Sequence, residues 1–273
     1  MSVAKPVTSR EYKLMLNISR FQDRAAGSRE FWQLVTFLAQ RQEDLAGPIG
    51  IEVQHEEELR DVRYLDTRGL ALRRNGFVLR AREEYSADPA KRHKLTVKYR
   101  DADRYMAAGQ DLSTTSTVGE AKEKFEEDVI PPFASRYSSS VAVQSPGLLE
   151  VNNIGEVKDM FPGLADLEIP NELAVEPVRG FRAHEVFHKA GKIKFGKKPK
   201  VKCARSFWYL WPERTGRPVV AEFSFDFDDK TKKERFPAHV VQGAGALFRS
   251  LQRQPGWVDF RSTTKTAYAY EAM

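Results

Sequence analysis

A chain of 273 residues with 41% apolar residues, among them 17 Phe, 9 Tyr and 4 Trp, can bury a sizeable core, which excludes a disordered protein and allows one large domain or two average ones. Its 44 Lys and Arg against 38 Asp and Glu leave a net charge of +6, which favours an anionic partner without choosing between nucleic acid, a phosphate ligand and an acidic membrane surface. Cys203 is the single cysteine, so an internal disulfide and a zinc cluster of cysteines are excluded. Met1 to Asn17 holds no apolar run of signal-peptide length, and no segment approaches the ~20 apolar residues that span a bilayer. A cytoplasmic protein with no membrane partner is the expectation.

In chain order, the first predicted element is a strand in which Ser9, Glu11 and Lys13 alternate with Arg10, Tyr12 and Leu14. Ser28 is the expected cap of a helix running to about Leu45, because Phe31, Leu34, Val35 and Leu38 recur at i, i+3, i+4 and i+7. Val62 to Asp66 reads as a strand, and Thr67 to Asn75 as a short helix closed by Gly76. Phe77 to Glu84 sets Arg80, Arg82 and Glu84 on one face of a strand. The clearest strand is Lys94 to Arg100, with Lys94, Thr96, Lys98 and Arg100 on one face and Leu95, Val97 and Tyr99 on the other. Lys124 to Val129 is a further strand, and Ser135 to Ser145, ending in Pro146-Gly147, reads as a surface connection. A short helix is expected around Gly155 to Phe161. Lys192 to Phe195 and Val201 to Leu210 read as strands, and Ala221 to Asp228 opposes Glu222, Ser224, Asp226 and Asp228 to Phe223, Phe225 and Phe227. Val240, Ala244, Leu247, Phe248 and Leu251 form a last helical stripe before Pro255-Gly256.

Many strands with a few helices between them predict an α+β, mainly antiparallel fold. Residues 1–273 read as one domain with elaborated loops, and 135–200 is the place for an insertion.

The polar faces carry the chemical signal. An ordinary solvated face mixes charge with Ser, Thr, Gln and Asn, whereas these strands carry cations in pairs (Arg80 with Arg82, Lys98 with Arg100) and carboxylates in pairs (Glu222 with Asp226). Turned into a closed barrel, the cations would meet successive phosphates of a polyphosphate, Arg by bidentate bonds and Lys as a point charge. The carboxylates would serve through a Mg²⁺ or Mn²⁺ lying between them and the phosphate oxygens. The alternation itself is more commonly that of an antiparallel sheet with one face in water. Periodicity does not say which face points inward.

The ordered series of segments resembles the CYTH superfamily, the triphosphate tunnel metalloenzymes. Ser9-Arg10-Glu11-Tyr12-Lys13 resembles the family's Glu-x-Glu-x-Lys strand, with Ser9 in place of the first Glu. Arg63 to Thr67 and Leu70 to Gly76 are similar to the strand and turn that follow. Leu79-Arg80-Ala81-Arg82-Glu83 looks like the Arg-x-Arg strand, and Leu95 to Arg100 like the strand carrying Lys-x-Arg. Val201 to Arg205 resembles a basic strand, Ala221 to Asp226 an acidic one, and Ser262-Thr263-Thr264-Lys265 the C-terminal Ser and Lys segment. The resemblance implies a charged barrel interior and a divalent-metal-dependent hydrolase acting on inorganic triphosphate, a nucleoside triphosphate or thiamine triphosphate. Adenylate cyclisation is the family's other reaction. The implied catalytic residues are Glu11, Lys13 and Asp226. The implied phosphate contacts are Arg80, Arg82, Lys98, Arg100, Lys202, Arg205 and Lys265. The implied metal ligands are Glu11, Glu126, Glu222 and Asp226.

Ser9, a weak neutral ligand, keeps a non-catalytic polyphosphate- or nucleotide-binding module open as the alternative. The stretch Lys124 to Asp128 is placed to restore acidity. A basic cluster, Lys192 to Lys202, is a solvated loop or a nucleic-acid contact, the latter being the less favoured partner. His184 and His188, four apart, lie in a strand-like stretch that argues against a shared metal site. Phe207 to Trp211 is expected in the core, as is Cys203.

Overall fold

The computed structural model describes residues 5–85, 92–115, 120–260 and 264–271. Strand β1 (Ser9–Met15) is followed by helix α1 (Arg24–Gln40) and the single turn α2 (Glu43–Ala46). Next come β2 (Ile49–Asp66), α3 (Ala71–Arg74), β3 (Phe77–Glu84), β4 (His93–Asp101) and α4 (Arg104–Ala108). The hairpin of β5 (Glu120–Ile130) and β6 (Ala134–Ser145) leads to α5 (Ile154–Met160) and to the long strand β7 (Glu176–Phe195). Then follow β8 (Val201–Leu210), β9 (Val220–Asp228), α6 (Ala238–Gln252) and α7 (Lys265–Glu271).

Among the described residues nine strands close into a ring in the order β1-β5-β6-β4-β3-β2-β7-β8-β9. Neighbours are antiparallel except β1 with β5. The fold is the α+β, mainly antiparallel sheet that the series of segments predicted, closed as the resemblance implied. No helix among the described residues is long and apolar enough to cross a membrane.

Strand side chains alternate between two faces, so each strand sends one residue set outward and the other into the ring. Tyr12, Leu14, Phe223, Phe225, Phe227, Cys203 and Phe207 face outward and pack beneath α1 and α6 in one apolar layer. Tyr12 stacks on Phe225 with ring centroids 5.0 Å apart. A second layer joins Leu79, Leu95, Val97, Phe125, Val141 and Val143 to Ala107 of α4, Ile154 and Val157 of α5 and the segment beyond it. A third cluster fills one end of the ring itself: Tyr64, Val78, Phe181, Trp208 and Val220 pack against Ala269 and Tyr270 of α7. With both outer layers dry, the charged faces are left to point inward.

Several boundaries differ from those predicted. Helix α1 begins four residues before Ser28, because the Asp23 side chain accepts the amide of Ala26 at 2.9 Å and caps it there. Ser135 to Ser145 is not a surface connection. It is most of β6, between β4 and β5, with Ser138, Ser139 and Ser140 buried. Small hydroxyls serve there as spacers, a use that composition does not separate from a loop. Residues 135–200 supply most of β6 and all of β7 to the ring. The short helix α3 covers only Ala71–Arg74 of the predicted Thr67 to Asn75, held by the Asp66 carboxylate, which accepts the amides of Thr67, Leu72 and Arg73 at 2.7–2.9 Å.

Gly191 sits at a β-bulge where β7 shifts register against both neighbours. Its φ of 153° and the 2.2 Å that would separate an added Cβ from the Glu52 carbonyl admit only glycine. The extra residue changes the facing of the strand. Glu185 and Phe187 line the cavity before the bulge, and after it Ile193 and Phe195 enter the outer layer, which leaves Lys192 and Lys194 on the opposite face of the strand.

Candidate functional site

The ring encloses a cavity of about 500 Å³. Among the described residues its walls carry ten cationic side chains: Lys13, Arg60, Arg73, Arg80, Arg82, Lys98, Arg100, Lys124, Arg136 and Lys265. Five carboxylates face them: Glu11, Glu126, Asp128, Glu185 and Glu222. The residues reach the same space because β1, β3, β4, β5 and β9 each contribute the polar half of an alternating pattern.

Three knots of ion pairs organise the wall. In the first, Lys13 Nζ lies 2.9 Å from Glu11 and 2.8 Å from Asp128, and Arg100 meets the other oxygen of Asp128 at 3.0 Å. Burial opposes the charge of Asp128, yet Lys13 and Arg100 outweigh it and hold the carboxyl below its ordinary range. Asp128 and Glu11 in turn raise Lys13 against its own desolvation. In the second, Lys98 and Lys124 flank Glu126 at 3.3 and 3.0 Å. Burial opposes ionisation of Glu126 too, but the two lysines lower it to about 2. In the third, Lys265 of α7 bridges Glu222 at 2.9 Å and Glu185 at 3.2 Å. Glu185 also accepts Ser206 Oγ at 2.6 Å and Trp208 Nε1 at 3.0 Å, and pairs with Arg60 at 3.2 Å.

Beside these knots lies a patch of uncompensated positive charge. Arg82 is pushed down to about 9 by burial and then by Arg80 and Arg60. Lys94, the cross-strand neighbour of Arg82, is pushed down to about 7 by burial and then by Arg82. Glu84, 3.6 Å from Arg82, offsets only part of this. Arg80 Nε, Arg82 Nε, Arg100 Nε and Thr96 Oγ1 are buried and have no hydrogen-bond partner among the described residues. Buried donors of like charge without acceptors are costly unless an anion meets them.

Of the residues singled out in the sequence, Glu11, Lys13, Arg80, Arg82, Lys98, Arg100, Glu126, Glu222 and Lys265 all line the cavity. Asp226 and Lys202 are not among the lining residues: Asp226 lies opposite Glu11 across the β1–β9 pairing, and Lys202 bonds both Asp226 and Asp228. Asp226 is pushed up to about 6 by burial and then by the charge of Glu11. Arg205 does not reach the cavity. Its position on β8 has the same parity as Cys203 and Phe207, so it points outward, bonding the Ser28 carbonyl and, at 2.6 Å, His188 Nδ1. His184 pairs with Asp61 instead of with His188; four strand residues separate the two by about 13 Å. Phe207, Trp208 and Tyr209 are buried, whereas Trp211 is half exposed. Ser262 and Thr263 lie outside the described residues. Arg60, Arg136 and Glu185 were not singled out, and Asp128 was named only as the end of the acidic stretch from Lys124. Asp128 follows the alternation of Lys124 and Glu126, which was the available signal; Glu185 sits among apolar residues and gave none.

Among the described residues no three acidic, histidine or cysteine side chains converge into a metal cage made of protein alone. A Mg²⁺ that keeps its waters and rides on phosphate oxygens needs only one or two carboxylates. The facing pair Glu11 and Asp226, with Asp226 raised to about 6, suits such an ion.

No family model and no curated protein matches this chain. Solved structures do resemble it. A proposed adenylyl cyclase from Hippeastrum, described as revealing a dominant triphosphatase activity, is 12% identical over 97% of this chain and 96% of its own, with a TM-score of 0.44. A proposed adenylate cyclase from Bacillus halodurans is 12% identical over 98% and 100%, with a TM-score of 0.40. Another from Vibrio parahaemolyticus is 14% identical over 94% and 95%, with a TM-score of 0.34. What the cavity can bind follows from its own side chains.

Proposed function

We propose that the cavity binds the triphosphate group of a small molecule and that the chain, working as one domain, is a divalent-metal-dependent triphosphatase. The excess of enclosed cations carries this reading, above all the mutually repelling Arg80, Arg82 and Lys94. An ordinary structural ion-pair network balances its charges; among the described residues this one holds ten cations to five carboxylates. A linear polyanion would supply acceptors to the orphaned guanidinium nitrogens and relieve the repulsion at once.

In the proposed reaction, Arg80, Arg82, Lys98 and Lys13 hold successive phosphates and fix the terminal one. A water attacks the terminal phosphorus, the anhydride oxygen leaves with the remaining phosphates, and the Asp226 carboxylate takes the water's proton. Glu11 and Asp226 would hold a Mg²⁺ or Mn²⁺, which would supply charge neutralisation at the phosphate oxygens.

Ser9, buried on β1, favours the second reading, a polyphosphate- or nucleotide-binding module without turnover. A panel of tripolyphosphate, ATP and thiamine triphosphate with Mg²⁺ or Mn²⁺, scored for phosphate and cyclic AMP, separates the two. Phosphate release lost in an Arg80→Ala, Arg82→Ala double variant that still folds is the expected result. Tight tripolyphosphate binding with no product would establish the module instead. Unchanged turnover in the double variant would remove both arginines from the mechanism.

A further inference from the structure

We infer that the basic loop after β9, together with the short helix α4 beside it, docks the protein on the surface of an anionic lipid bilayer. This surface lies outside the cavity and does not rest on the triphosphate reading. The loop runs Lys230-Thr231-Lys232-Lys233-Glu234-Arg235, and its four cations are exposed and form no ion pair among the described residues. Its shape is fixed from beneath. The buried Asp229 carboxylate accepts the amides of Thr231, Lys233 and Arg235 at 2.9 Å and the Thr231 hydroxyl at 2.7 Å. Held so, Lys232 and Glu234 adopt left-handed backbone, with φ of 54° and 56°. Glu234, the one carboxylate of this stretch, is turned to the protein: it accepts the Val7 amide at 3.1 Å and both terminal nitrogens of Arg104. The loop therefore presents cations that no neighbouring carboxylate neutralises, and a fixed loop loses little conformational freedom on docking.

The pairing of Arg104 with Glu234 also sets α4 against the loop, and there Tyr105 and Met106 are 74% and 52% exposed. Ala107 fastens α4 to the sheet, buried where the Ser139 hydroxyl donates to its carbonyl at 2.7 Å. Two large side chains in water beside uncompensated cations are the two halves of an interfacial contact. The apolar pair enters the headgroup boundary, and the lysines meet anionic lipid. Single-stranded nucleic acid is held in grooves that carry several stacking rings. One exposed ring next to a thioether suits a lipid boundary better, since a tyrosine there has an apolar body and a wet hydroxyl. The expectation of no membrane partner rested on the lack of a spanning segment, which a peripheral contact does not need.

The experiment is co-sedimentation of the full chain with vesicles of neutral phosphatidylcholine and with the same lipid doped with phosphatidylserine, at several salt concentrations. Wild type should bind the anionic vesicles, more weakly as salt rises, and the neutral ones far less. A Lys230→Gln, Lys233→Gln variant should bind them about 25-fold more weakly, at about fivefold per cation. A Tyr105→Ser, Met106→Ser variant should lose about tenfold and keep the salt dependence. Both variants should melt as wild type does and behave like it toward tripolyphosphate. Equal binding to the two lipids, or binding to neither, would overturn the proposal. So would anionic-vesicle binding that survives the lysine variant, because the enclosed cations would then be its source. An α4 variant that binds as well as wild type would overturn the part given to Tyr105 and Met106. Oligouridine bound more tightly than vesicles, and released by the same lysine changes, would overturn lipid in favour of nucleic acid. A dimer in vesicle-free buffer that the α4 variant breaks up would give the face to a second copy and overturn it as well.

Discussion

Replacing Arg82 by methionine should make the unliganded protein more stable and a worse binder at the same time. Methionine nearly matches the arginine stem in length and leaves the charge out. Arg82 holds its proton in a setting that would release it at about 9 in place of 12.5, chiefly through burial and then through Arg80 and Arg60. Taken at face value, that displacement is about 5 kcal/mol of unfavourable charging. The effective dielectric of a water-accessible cavity, and the loss of the 3.6 Å contact with Glu84, reduce the net gain to about 1–2 kcal/mol. In a protein of this size that raises the melting temperature by roughly 2–6 °C. Tripolyphosphate would lose one charge-assisted contact, about 1.5–3 kcal/mol, which is about 10- to 150-fold in Kd. The sign with pH is fixed as well. A cation whose folded pKa is depressed destabilises the fold while it is charged, so the advantage of the variant should be full well below pH 9 and shrink above it. Differential scanning fluorimetry and calorimetry on the two proteins make the comparison. A variant that melts lower than wild type while binding tripolyphosphate unchanged would refute the idea that Arg82 is a cation awaiting an anion.

Other outcomes follow from neighbouring residues. Glu185→Gln leaves Arg60 and Lys265 buried with their shared anion gone and should cost about 3–5 kcal/mol, read as a lower denaturation midpoint. Lys94, pushed down to about 7, should couple binding to pH: tripolyphosphate affinity should fall as pH rises through 7, and Lys94→Met should flatten that step in a titration followed by calorimetry. The same shift makes the unliganded fold gain stability between pH 7 and 10.5, where the unfolded chain binds the proton and the folded one does not. Arg205→Ala, lying outside the cavity, should lower stability through its lost bonds to Ser28 and His188 and leave tripolyphosphate affinity within about twofold.

Alternation made the ring strands legible wherever one face is apolar and the other charged, as in β1, β3, β4 and β9. It failed for β6 and for most of β7. In β7, Ala183, Val186 and Ala190 pack on opposite sides of the sheet because one end of the ring is itself filled with apolar residues. A strand buried on both faces loses the period-two signal. The facing of the charged sets was not legible either. It is decided by the two helical layers, which dry the outer face, and that is a property of packing between distant segments.

The serines of β6 show how the site depends on what is missing from it. Lys98 and Arg100 of β4 reach Glu126 and Asp128 of β5, although β6 lies between those strands. On β6 the residues paired with Lys98 and Arg100 are Ser140 and Ser138, and the same two serines pair with Lys124 and Glu126 on the other side. Long side chains from both neighbours can then arch over the middle strand and meet at 3.0–3.3 Å. A branched or aromatic residue at either serine would stand between the cation and its carboxylate. The charge pattern of β4 and β5 therefore becomes a network because β6 contributes almost no volume at Ser138 and Ser140. The run read in the sequence as a loop is the element that lets the cavity exist.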